Sequence, residues 1–170
     1  SNCFHGSIPH SICNSKNITI ISMDGLGSAK DCPQSTKIPF TKVTLGQTMD
    51  GTLPECVWSL QQIRVLNMAG NGLRGQIKSV PLSSTFVNLT LAHNYLTGTI
   101  PKYIQKKYFA SLDLSHNKFT GVCDSFQLFT NVSNTTTTST SSTTQKTRLN
   151  LNVNRLSGQL SNAFAQYSHL

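Results

Sequence analysis

Four asparagines, Asn71, Asn94, Asn117 and Asn154, stand in one recurring frame of apolar residues, and that frame restricts the fold more than any other property of the chain. It reads Leu66, Met68, Asn71, Leu73, Gly75, Ile77, then Leu89, Leu91, Asn94, Leu96, Gly98, Ile100, then Leu112, Leu114, Asn117, Phe119, Gly121, Cys123. Successive frames are 23 residues apart. A fixed period of this size describes a short coil stacked on copies of itself, because a single coil cannot bury its own apolar face. The step from Asn117 to Asn154 is longer, and its additional residues coincide with a Ser/Thr tract, so they form a loop inserted into an intact repeat. The frame then resumes as Leu149, Leu151, Asn154, Leu156, Gly158, Leu160.

Towards the N-terminus the frame degrades. Val43, Leu45, Gln47, Met49, Gly51, Leu53 and Pro54 fit it with Gln in place of Asn, and Ile18, Ile21 and Met23 match its strand segment. Asn2, Phe4, Gly6, Ile8 and Pro9 restore its second half. Together these residues resemble the plant-type extracellular leucine-rich repeat family, whose pattern is L-x-x-L-x-L-x-x-N-x-L-x-G-x-I-P. The resemblance covers nearly the whole chain, tightly over 60–123 and 148–160 and loosely over 13–54. It implies a solenoid of about seven coils with a parallel β-sheet on one face and short turns or 3-10 segments on the other. One solenoid is expected over 1–170: irregular coils with cysteines at 1–59, regular repeats at 60–123, a glycosylation loop at 124–147 and an unfinished repeat at 148–170.

Residue chemistry explains the recurrence. In L-x-L, alternate side chains point inward while the intervening ones face out. Asn2, Asn71, Asn94, Asn117 and Asn154 are expected to form a structural ladder, each amide satisfying backbone groups that a tight turn leaves unpaired. Three columns are expected to face outward: Asn67, Thr90, Asp113, Asn150; then Ala69, Ala92, Ser115, Asn152; then Gly70, His93, His116, Val153. From them Asn67, Thr90, His93, Asp113, His116, Asn150 and Asn152 form the candidate binding face, since solenoids bind through this curved surface. The columns are small and polar and lack the Trp, Tyr and Arg that dominate protein hot spots. Thr90 alone occupies its column, which argues against the regular Thr ranks of an ice-binding surface.

Four sequons place N-glycan acceptors at Asn17, Asn88, Asn131 and Asn134. Thr135, Thr136, Thr137, Thr138, Ser139, Thr140, Ser141, Ser142, Thr143 and Thr144 form an unbroken hydroxyl tract, too polar to pack and expected to carry O-linked sugar. Cys3, Cys13, Cys32 and Cys56 are candidates for two disulfides stapling the irregular coils, in any of three pairings. Cys123 takes the inward position of Ile77 and Ile100 and is expected to be a buried free thiol.

The net charge of +8 arises from few acids rather than many bases. Lys102, Lys106 and Lys107 form a local cluster without interleaved aromatics, which argues against nucleic acid. Attraction to acidic polysaccharide or an anionic cell surface remains compatible with the charge. No stretch approaches the roughly 18 apolar residues of a membrane span. Catalytic motifs, C-x-x-C and a third ligand beside His93 and His116 are missing, so no enzyme activity, cofactor or metal is expected. Sequence therefore points to a secreted or cell-surface, glycosylated module binding protein or carbohydrate. The alternative is a structural subunit of a filament or wall layer. Leu170 opens a coil that it does not complete and Ser1 begins in mid-coil, so copies could join end to end.

Overall fold

The computed structural model describes residues 6–25, 49–78, 81–126 and 148–159. The expected coil termini at 1–5 and 160–170, with Asn2 and Cys3, lie outside these residues, as do Cys32, Asn131, Asn134 and the tract 135–144.

From Leu66 onward, the strand segments of successive frames pair as expected. Strands β2 (Ile20–Ser22), β4 (Val65–Asn67), β6 (Asn88–Thr90), β8 (Ser111–Asp113) and β10 (Arg148–Asn150) form a five-stranded parallel sheet in that spatial order. The central residues Ile21, Leu66, Leu89, Leu112 and Leu149 lie in one register, each paired with its equivalent in the next coil. Because Ile21 meets Leu66 directly while Gly51 meets Leu73, the segments around Ile21 and Gly51 are halves of one coil and not two successive coils as expected; Val43, Leu45 and Gln47 lie outside the described residues. The first four are buried because the pleat turns them all towards the core. The inserted segment therefore leaves the pairing of β8 with β10 intact.

A second parallel sheet, absent from the sequence expectation, is built from the half-frame that follows each Asn. Strands β1 (Gly6–Ser7), β3 (Met49–Gly51), β5 (Gly72–Gln76) and β7 (Tyr95–Thr97) form its first part. Strands β9 (Thr120–Val122) and β11 (Arg155–Ser157) form the second part, and the Thr99–Thr120 bridge links the two. Here the register slips: Gly75 pairs with Leu96, and Leu156 pairs with Gly121, two residues away from the equivalent position. One sheet stacks squarely while the other slides by about 6–7 Å per coil, so successive coils rotate against each other.

This slip is what the repeated glycine permits. Gly98 has φ +78° and a Cβ there would lie 2.8 Å from Gln76 of the preceding coil. At Gly121, φ is +83° and a Cβ would lie 2.8 Å from Thr99. Both the left-handed backbone and the close approach require a residue without a side chain.

Turns close the coils opposite the first sheet. They are 3-10 segments at His10–Asn14 and Glu55–Ser59 and one α-helical turn, α1 (Lys102–Gln105). The core between the layers holds Leu66, Met68, Leu73, Leu89, Leu91, Ile104, Leu114 and Phe119, each less than 2 % exposed. Ile63, Phe86 and Phe109, the opening residues of three frames, are also buried, and the Trp58, Phe86 and Phe109 rings pack in series. Centroid separations of 6.4 and 6.2 Å, one stacked and one edge-on, suit aromatic quadrupoles.

Candidate recognition face

The Asn side chains link each coil to the one before it. The Asn94 amide Nδ2 donates to the carbonyls of Leu91 and Ala92 in its own coil and to Met68 in the preceding coil, at 3.0, 3.2 and 2.9 Å. Its Oδ1 accepts the Leu73 N–H. Asn117 repeats the arrangement with Leu91, Leu114, Ser115 and the Leu96 N–H. Asn154 does so across the insertion, with Leu114, Leu151, Asn152 and the Phe119 N–H. Asn71 donates to Met23, Met68 and Ala69. Among the described residues, no buried side-chain nitrogen or oxygen lacks a partner.

The three columns do not all face solvent. Asn67, Thr90, Asp113 and Asn150 do stand out from the first sheet, half-buried. Ala69, Ala92 and Ser115 are only 4, 5 and 2 % exposed, so the second column lies inside except at Asn152, which is exposed. The reason is that the strands end at Asn67, Thr90, Asp113 and Asn150, and the chain turns inward at once. Side chains tighten this turn: the Asn67, Asp113 and Asn150 oxygens accept the N–H two residues on, at Ala69, Ser115 and Asn152. Gly70, His93, His116 and Val153 then adopt φ of +67, +54, +51 and +53°. The third column is thus a left-handed turn rather than strand.

A fourth column escaped the sequence reading. Val65, Asn88, Ser111 and Arg148 pair laterally on the same face, one step before the inward leucines. The signal was available, since both residues flanking the central leucine of each strand point out. This column supplies an exposed Arg, and it places the Asn88 sequon within the sheet rather than beside it. Asn17 is exposed on the loop before β2.

The outward groups are held in place. Asp113 Oδ1 accepts from the Ser115 hydroxyl at 2.7 Å, and Asp113 Oδ2 accepts from Asn150 Nδ2 at 3.1 Å. The exposed His93 and His116 rings stack at 3.9 Å between centroids and 11° between planes. Among the described residues, no group of three His, Cys, Asp or Glu is placed to hold a metal ion. Cys13 and Cys56 form a disulfide joining the first two 3-10 segments. Cys123 is a buried free thiol, and burial, then neighbouring Asp124, push its pKa up. It is a core group, not a nucleophile.

The fold recurs in solved structures. The Arabidopsis receptor kinase HAESA, in complex with the peptide hormone IDA and the co-receptor SERK1, matches 70% of this chain at 29% identity and a TM-score of 0.55. The fold is a plant-type leucine-rich repeat solenoid. The PEPR1–AtPEP1 structure covers 96% of the chain at 21% identity and a TM-score of 0.63. A plant ice-binding protein covers 96% at 19% identity and a TM-score of 0.58. These last two share the fold. The chain spans 17% of the HAESA chain, 19% of the PEPR1 chain and 50% of the ice-binding protein. No protein-family model and no curated protein matches the chain.

Proposed function

We propose that this leucine-rich repeat chain is a non-catalytic, extracellular, glycosylated recognition module of receptor-like character. Its ligand is a polar peptide segment or protein loop lying across the five-stranded sheet. The observation that carries this reading is the ordered polar surface over β4, β6, β8 and β10. There Asn67, Asp113 and Asn150 are fixed by side-chain hydrogen bonds before any ligand arrives, which lowers the ordering cost of binding. The likeness, at 29% identity, to a receptor kinase solved with a peptide hormone supports a recognition role. The stacked His93 and His116 rings give it one apolar step among hydrogen-bonding groups. A glycan on Asn88 would stand against Thr90 on the same strand and leave the neighbouring Asp113 and Asn150 open. Among the described residues no helix is long and apolar enough to cross a membrane.

The test is photo-cross-linking of the natively isolated protein with a benzophenone residue at Asn152 or, on an exposed turn outside the strands, at Gln61. A panel of synthetic plant peptide hormones serves as ligands. One peptide should cross-link saturably from 152 and not from 61, and Asp113→Lys should abolish the product. Equal labelling at both positions, or none from 152, overturns the reading.

A further inference from the structure

The second sheet carries its own surface, unrelated to the strand face. Tyr95 on β7 is 50% exposed, and two cations lie against its ring: the Arg74 guanidinium 5.5 Å from the centroid and the Lys118 ammonium 5.1 Å from it. Arg74 comes from the coil before and pairs directly with Tyr95, whereas Lys118 comes from the coil after. Thr97 follows on β7, Thr120 pairs laterally with Arg155 on β11, and Arg155 is exposed. The result is a track over four coils that alternates cations with hydroxyl groups.

Among the described residues, no acid forms an ion pair with it. Strands β5, β7, β9 and β11 contain none; Asp124 follows β9 by two residues, and Asp50 lies on β3, paired with Gly72. The ion pair among the described residues, Lys78 with Glu55, engages none of the track's cations. Uncompensated like charges side by side repel unless a counter-charge is supplied. A solenoid does not need this arrangement for folding, because the inward Leu73, Leu96 and Phe119 provide the burial.

We propose that this track, Arg74, Tyr95, Thr97, Lys118, Thr120 and Arg155, binds an acidic polysaccharide of the polyuronate class. Acidic peptides are also read by clusters of cations, and comparison with polyglutamate separates them from a polysaccharide. The track's ammonium, guanidinium, phenol and hydroxyl groups match a polymer carrying a carboxylate and several hydroxyls on each ring. Tyr95 has a defined part. Long cationic side chains lose rotamer freedom when they bind, and resting on an aromatic ring orders them in advance. The site lies on the layer that a glycan at Asn88 does not touch, so a wall polymer and a strand-face ligand can be held together.

Affinity electrophoresis of the intact glycoprotein through gels containing polygalacturonate tests this. Gels with the fully methyl-esterified polymer, or with polyglutamate, are run beside it at low ionic strength. The protein should be retarded by polygalacturonate alone. The triple variant R74Q/K118Q/R155Q should lose on the order of tenfold in apparent affinity, as three exposed ionic contacts imply. A variant with equal charge loss elsewhere, K16Q/K102Q/K106Q, should stay within about twofold of the parent. Tyr95→Ala should weaken retention with no change of charge, and Tyr95→Phe should preserve it. No retardation of the parent, equal loss in both triple variants, or equal retardation by polyglutamate each overturns the proposal.

Discussion

At the residue scale, the frame assigns different work to neighbouring positions. Asn94 and His93 are adjacent, but Asn94 satisfies one buried N–H and three carbonyls whereas His93 is exposed. Replacing Asn94 with Leu strands those groups and is expected to destabilise the chain by about 2–4 kcal/mol. Replacing His93 with Asn, which tolerates the left-handed backbone, is expected to stay within about 0.5 kcal/mol. Urea unfolding of the two variants checks this, and equal midpoints would contradict the ladder's role. Val153 is a β-branched residue at φ +53° with 61% exposure, so it holds strain without burial in return. Val153→Asn should raise stability by about 1 kcal/mol, read from the same titration.

Repeats, turns and staples set the behaviour of the elements. Trp58, Phe86 and Phe109 form a continuous aromatic stack behind the first sheet, and Phe86 is its middle member. Phe86→Ala should cost about 3–5 kcal/mol, because neither neighbouring ring can close the cavity without leaving its own coil. The same substitution at exposed Tyr95 should leave the melting temperature nearly unchanged; calorimetry of the pair decides. The Cys13–Cys56 disulfide joins turns 43 residues apart. Its chain-entropy contribution is about 3–4 kcal/mol, so Cys13→Ser with Cys56→Ser should lower the unfolding midpoint accordingly. Loss of less than about 1 kcal/mol would mean that the turns are held by packing alone.

For the whole molecule, two parallel sheets on one solenoid present two chemically different surfaces. The first is polar, nearly neutral and ordered by its own hydrogen bonds, while the second carries the uncompensated cations. Asn17 is exposed, and Asn88 is half-buried on the strand face. If Asn17 and Asn88 carry N-linked sugar, enzymatic release of N-glycans should lower the mass of the natively isolated protein. A second loss of mass on release of O-linked sugar is expected if the 135–144 tract carries it. No loss of mass in either step would dispose of both.

Much of this architecture was legible in the sequence because a repeat states its own contacts. The spacing of Leu66, Leu89 and Leu112 determined the coil, the in-register strands and the inward core, since a residue that recurs at one period must meet its own copy. The Asn positions determined the ladder for the same reason, and Cys123 its burial. Periodicity says nothing about where one strand slips against the next, so the second sheet and its two-residue offset came only from the folded coils. Nor does it reveal backbone handedness: His93, His116 and Val153 give no sign of a left-handed turn that only Gly70 hints at. The Tyr95 track depends on that offset, which sets Arg74 directly opposite Tyr95 although the two occupy different places in the frame. Sequence determined which residues repeat; tertiary structure decided which unlike residues become neighbours, because stacking geometry rather than period fixes the distance between coils.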